Sequence, residues 1–174
     1  MLPGMTVINP CDYNQTKAAT IAISKHLGPV YLRFGRPAVP VFTDEDQDFV
    51  IGKALKLQEG SDITIIATGH LVWESLEAAK MLFKDGIKSE ILNIHTIKPL
   101  DENAIINSAK KTNCVITAEE HNCLGGLGES VARLLSESYP TAMKIIGTKD
   151  TFGESGKPSE LLEKYGLSSD AIYK

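Results

Sequence analysis

A three-layer α/β fold, built on a mostly parallel sheet with one antiparallel edge strand and preceded by a partial βαβ unit, is what this sequence predicts. Short β-branched runs alternate with amphipathic helical stripes along most of the 174 residues. The stretch 115–129, Val-Ile-Thr-Ala-Glu-Glu-His-Asn-Cys-Leu-Gly-Gly-Leu-Gly-Glu, breaks from such a run into a polar turn and passes three close glycines before a helix. That is how a chain crosses the carboxyl edge of a parallel sheet, where backbone amides and helix dipoles collect ligands and partner surfaces. Composition agrees. With 43% hydrophobic residues and few aromatics, a chain of this length buries roughly 70% of its unfolded surface around small aliphatic side chains.

The first unit, residues 1–42, predicts a strand at Thr6–Ile8, a break at Asn9-Pro10, a helix over about 12–26 with Asp12 as N-cap, and a strand over 30–34. A lone βαβ unit of about forty residues rarely holds a core of its own without a metal or disulfide. It is therefore expected to be the tail of a larger sheet, and the chain to be truncated at its N-terminus. Pro37, Pro40 and the acidic run from Asp44 to Asp48 predict a solvated connection, with the linker placed at 43–49.

The second unit, 50–174, is expected to be a complete module. Strands over 53–57 and 62–67, joined by Gln58-Glu59-Gly60-Ser61, suggest an antiparallel hairpin. Val72, Leu76, Ala79 and Phe83 form a helical stripe. A strand follows at 90–94, then a helix over 101–110 capped by Asp101, a strand at 115–118, a helix at 127–135 and a strand at 144–147. A last helix over 158–165 is ended by Gly166.

Several functions are excluded by composition. The net charge of −4 comes without a basic cluster, so neither nucleic acid nor an anionic membrane is an expected partner. No apolar stretch is long enough for a helical span, and the first residues lack the pattern of a signal peptide, so a cytoplasmic location is expected. Three cysteines without CxxC spacing, Cys11, Cys114 and Cys123, read as reduced thiols rather than a disulfide framework or zinc ribbon.

Candidate site residues gather at predicted strand ends. His70, His95 and His121 each follow a strand, and Glu119 shares a strand face with His121 while Glu120 points away. They form a candidate ligand or interface edge, with no metal site expected. Gly125, Gly126 and Gly128 lack the Lys-Ser/Thr of a Walker loop and the spacing of a dinucleotide fingerprint, so they predict a tight strand-to-helix turn. Arg36 sits at a strand exit before Pro37, where its planar fork suits a phosphate, a carboxylate or a surface ion pair.

These segments together resemble the transketolase family. Leu2-Pro3-Gly4-Met5, Asn9-Pro10-Cys11-Asp12, Gly28-Pro29-Val30-Tyr31-Leu32-Arg33 and Arg36 are similar to the end of that family's pyrimidine-binding domain. Ile66-Ala67-Thr68-Gly69, Thr96-Ile97-Lys98-Pro99-Leu100-Asp101, Thr117-Ala118-Glu119-Glu120-His121, Gly125-Gly126-Leu127-Gly128 and Phe152-Gly153-Glu154-Ser155-Gly156 are similar to its C-terminal domain. The resemblance covers essentially the whole chain, and deoxyxylulose-phosphate synthase is the nearest competitor in the superfamily.

What the resemblance implies is a thiamine-diphosphate- and Mg2+-dependent transferase of the pentose phosphate pathway that moves a two-carbon ketol unit between sugar phosphates. It implies that the cofactor-holding residues and the activating glutamate belong to an N-terminal portion or subunit, so this chain is expected to bind no cofactor and to be inactive alone. Arg36 matches the position that contacts the substrate phosphate in family members; no catalytic residue is expected here. The C-terminal domain implies packing and homodimer contacts, and His70 stands where a small or acidic residue is more usual. A stand-alone regulatory module or a structural oligomerisation domain are the alternatives.

Overall fold

Fourteen elements are present in the computed structural model, which describes residues 2–174; Met1, where the first predicted unit begins, lies outside the described residues. In chain order they are β1 (Thr6–Ile8), α1 (Tyr13–Ile23), β2 (Val30–Leu32), β3 (Leu55–Gln58), β4 (Ile63–Ala67), α2 (Leu71–Lys84) and β5 (Ser89–Asn93). There follow β6 (Thr96–Lys98), α3 (Glu102–Thr112), β7 (Cys114–Asn122), α4 (Leu127–Ser138), β8 (Ala142–Thr148), α5 (Pro158–Lys164) and α6 (Ser169–Tyr173).

A five-stranded sheet in the order β3-β5-β4-β7-β8 organises the larger part. Its last four strands are parallel and β3 is the antiparallel edge. Alternation along β4 and β5 sends Ile65, Ala67 and Ile91 to one face, where α2 and α6 cover them, and Ile66 and Leu92 to the other, beneath α3 and α4. The result is the predicted three-layer sandwich. Local caps operate as the sequence implies: Asp12 accepts from Gln15 N at the start of α1 and Asp101 from Ala104 N at the start of α3. Asn113 closes α3 in the left-handed region at φ 54°, where a short polar side chain is tolerated.

Three local expectations are corrected. No hairpin joins β3 to β4, because β3 pairs with β5. The reason lies in the connecting loop: Gly60 rests on the β5 backbone so closely that a Cβ would fall 2.1 Å from Ser89 C, which carries the chain across β5 before it enters β4. The stripe on α2 is also rotated. Val72 and Ala79 are buried with Leu71, Ser75, Ala78 and Leu82, while Phe83 is exposed. Finally, β7 runs past Ala118 to Asn122, so Glu119, Glu120 and His121 belong to a strand end rather than a turn.

The first unit forms a second sheet, β2-β1-β6, with β1 parallel to β2 and antiparallel to β6. β6 comes from the 50–174 stretch and was not predicted; nor was α6, which packs on α2. The connection after Pro40 is anchored at its start. The Asp12 carboxylate accepts from Phe42 N, Thr43 N and Thr43 Oγ1 as well as from Gln15 N. Burial pushes this carboxyl up, yet those hydrogen bonds outweigh it and hold its pKa below the usual value. Asn9 N donates to the His95 carbonyl at 2.8 Å and Thr68 Oγ1 to the Asn9 carbonyl at 3.3 Å, joining the strand ends of the two sheets.

Candidate functional site

The carboxyl ends of β4 and β7 face the segment that leaves β2, and between them lies a cleft of about 990 Å³. Arg36 lines it from the β2 exit, His70 from the start of α2, and Glu120 and His121 from the end of β7; residues 153–156 and α5 close the far side. The turn into α2 requires Gly69, whose φ of +57° disfavours other side chains and where a Cβ would fall 2.6 Å from Asn9 Nδ2. Two different sheets thus supply the wall.

Within the cleft, His70 Nδ1 lies 3.2 Å from Glu120 Oε2. That imidazole, foremost by hydrogen bonding, holds the Glu120 carboxyl below the usual carboxylate range. Arg33 Nη2 donates to the Glu120 carbonyl at 2.6 Å. Arg36 is exposed, and among the described residues it enters no ion pair. An unpaired guanidinium at the mouth of a concave surface is suited to an external anion. His121 is exposed, and its Nδ1 lies 3.0 Å from the Asn122 carbonyl.

Glu119 and the glycines form a different device. Both Glu119 oxygens accept from the first amides of α4, Leu127 N and Gly128 N, each at 2.7 Å. A carboxylate at a helix N-terminus meets both the free N–H groups and the positive end of the dipole. Burial nevertheless dominates, and the Glu119 pKa is raised despite those bonds. Gly125 adopts φ +77°, the left-handed conformation the turn demands. Gly126 does not; its φ is −98°, and it is small because a Cβ would fall 2.2 Å from Glu119 Oε2. Gly128 lets α4 approach β8, where a Cβ would meet Ile145 Cγ2 at 2.5 Å.

His95 stands apart from the cleft. It is 4% exposed, packs on the Phe49 ring at 4.1 Å between centroids, and has Nδ1 3.0 Å from Thr96 Oγ1. Burial pulls its pKa down to about 4. Because the folded value is depressed below the unfolded one, near 6.5, its contribution is fully present above that pH and is lost as pH falls toward 4. A pH series of thermal melts between 7 and 4 is expected to show wild type losing up to about 3 kcal/mol more than His95→Phe. Parallel curves for the two proteins would remove His95 from the acid response.

Of the residues singled out in the sequence, Arg36, His70 and His121 are brought together, whereas Glu119 with the glycine loop serves α4, and His95 the joint between the sheets. Glu120, which strand alternation turns away from Glu119, lines the cleft, and Arg33, off the strand pattern in the sequence as Arg36 is, braces it through the Glu120 carbonyl. The partner of Glu120, His70, is fifty residues earlier and carries no periodic signal. Among the described residues no group of three or more His, Cys, Asp or Glu side chains is placed to hold a metal ion, and no helix is long and apolar enough to cross a membrane.

A three-layer α/β domain whose carboxyl edge is completed by a segment of a neighbouring sheet is an architecture with known relatives. The chain belongs to the transketolase family, whose model "Transketolase, C-terminal domain" matches residues 52–172. It is 47% identical, over 99% of its length and 54% of the relative's, to the 6-deoxy-6-sulfo-D-fructose transketolase subunit SqwH of Clostridium sp. (strain MSTE9). It is 42% identical, over 99% of its length and 55% of the relative's, to an apulose-4-phosphate transketolase subunit of Phocaeicola vulgatus. A 1-deoxy-D-xylulose-5-phosphate synthase of Geobacter sulfurreducens is 36% identical over 98% of this chain and 28% of that protein. Among solved structures, a split gene transketolase described as an inactive beta4 tetramer matches with a TM-score of 0.97 and 43% identity, over 99% of this chain and 57% of that one. The chain spans about half the length of the transketolase subunits it matches.

Proposed function

We propose that this chain is the C-terminal part of a thiamine-diphosphate-dependent transketolase, moving a two-carbon ketol unit between sugar phosphates when joined to an N-terminal partner. The observation that carries the reading is the placement of Arg36, an exposed guanidinium without a carboxylate partner among the described residues, at the mouth of the cleft. In this reading Arg36 grips the terminal anion of the sugar, and the rest of the chain supplies interdomain and homodimer packing. Relatives named for a sulfonated sugar and for a sugar phosphate both support a sugar bearing a terminal anionic group. A bidentate guanidinium suits either anion. A cytoplasmic location and a place in the pentose phosphate pathway are part of the same proposal.

The described residues do not fit a diphosphate–metal site. The two carboxylates at the β7 end are committed, Glu119 to the amides of α4 and Glu120 to His70. Thiamine diphosphate and Mg2+ are therefore assigned to the partner portion, where the cofactor supplies the carbanion chemistry. The split gene transketolase described as inactive in its beta4 form supports a chain that needs that partner.

Calorimetric titration of the isolated chain with thiamine diphosphate and magnesium is expected to be flat, and ketol transfer is expected only after the N-terminal complement is added. Tight saturable binding of the cofactor by this chain alone would overturn the assignment.

A further inference from the structure

We propose that His70 is a positioning residue, a clamp that holds the Arg33–Arg36 segment against the carboxyl end of β7 and so sets where Arg36 presents its guanidinium. The proposal rests on the reading of Arg36 given above. Regular pairing of β2 ends at Leu32, and the last ladder-like bond beyond it is Arg33 N to the Ile8 carbonyl. From residue 34 to residue 41 no backbone group is hydrogen-bonded among the described residues, and the chain is next tied down at Phe42 N. Arg36 lies in the middle of this untethered stretch, so side-chain contacts must define its place.

Those contacts converge on one imidazole. The His70 ring fills the space beside Gly35 so closely that a Cβ there would fall 2.0 Å from Cε1 and 2.5 Å from Nε2. Its Nδ1 meets Glu120 Oε2 at 3.2 Å, and the Glu120 carbonyl receives Arg33 Nη2 at 2.6 Å. The chain Arg33–Glu120–His70–Gly35 thereby pins residues 33 and 35, on either side of Phe34 and just before Arg36. His70 is itself held at the start of α2, where its carbonyl accepts from Trp73 N at 3.2 Å. Ordering the segment in advance spares the substrate that entropy and keeps the guanidinium in register with the anion.

The test uses the chain assembled with its N-terminal complement, comparing a ketose phosphate it turns over with hydroxypyruvate. His70→Ala is expected to raise KM for the ketose phosphate about 5- to 50-fold while kcat stays within about twofold and hydroxypyruvate kinetics are unchanged. His70→Asn, which retains a donor near the Nδ1 position, and His70→Phe, which retains the ring, are each expected to restore part of the loss. On an Arg36→Ala background, His70→Ala is expected to add nothing, because the two act as one unit.

An independent reading comes from nuclear magnetic resonance of the chain itself. The Gly35 α-protons beside the ring are expected to be shifted by its current and to return toward ordinary positions in His70→Ala. Unmoved Gly35 resonances would overturn the clamp whatever the kinetics. Unchanged KM in His70→Ala alongside a clear defect in Arg36→Ala would overturn the positioning role and leave the Arg36 reading standing. A silent Arg36→Ala would instead sink that reading, and the clamp's purpose with it.

Discussion

Replacing Arg36 by alanine in the assembled enzyme is expected to lower kcat/KM for phosphorylated sugars by about 10- to 150-fold. The figure follows from a charge-assisted contact worth about 1.5–3 kcal/mol, a range that applies because the guanidinium has no competing carboxylate among the described residues. A terminal phosphate lies remote from the reacting carbonyl. If the contact is equally strong in the ground and transition states, the loss falls on KM; if it also orients the sugar, kcat falls too. Lysine is expected to rescue only partly, since it keeps the charge and loses the planar fork. The decisive control pairs hydroxypyruvate with a non-phosphorylated acceptor, for which the substitution should matter little. Equal losses with and without phosphate would return Arg36 to a structural role.

Gly126→Val is expected to destabilise the fold on the order of 3 kcal/mol or more, from overpacking combined with a disrupted helix cap. The new Cβ would fall 2.2 Å from Glu119 Oε2 and 2.7 Å from Oε1 and Cδ. Glu119 has no free direction to yield, because moving its carboxylate strips Leu127 N and Gly128 N of their acceptor and leaves a buried charge unpaired. For a chain of this length the midpoint should fall by roughly 6–12 °C. Gly125→Ala separates this mechanism from backbone strain. At Gly125 the φ of +77° is unfavourable but nothing lies within 4 Å of a Cβ, so the cost is expected to be only about 1–2 kcal/mol. Gly126→Ala should therefore melt below Gly125→Ala. The reverse order would show that the turn conformation, rather than the Glu119 carboxylate, demands the glycines.

That contrast marks how far the candidate site was legible in the sequence. Three glycines between a strand and a helix announce a tight crossing, and the crossing is present. Which glycine answers to backbone conformation and which to a neighbour is a matter of where Glu119 points. Likewise, Arg36 before Pro37 signals a strand exit, but its setting opposite His70 and Glu120 depends on bringing two sheets together. His95 and His121 look alike as histidines after strands; one is sealed against Phe49 and the other lines open solvent.

By itself the sequence determined the fold class, most of the strand and helix positions, the Asp12 and Asp101 caps and the parallel character of the sheet. All of these rest on interactions between residues a few positions apart, or on side-chain periods of 2 and 3.6, and so leave a local trace. Only the tertiary structure decided that β3 pairs with β5, that β6 joins the sheet of β1 and β2, and that α6 covers α2. It also decided that Arg33, His70 and Glu120 meet around the segment carrying Arg36. Those contacts join residues tens of positions apart, and their energy comes from burial and complementary geometry across the chain, which no spacing within a single element records.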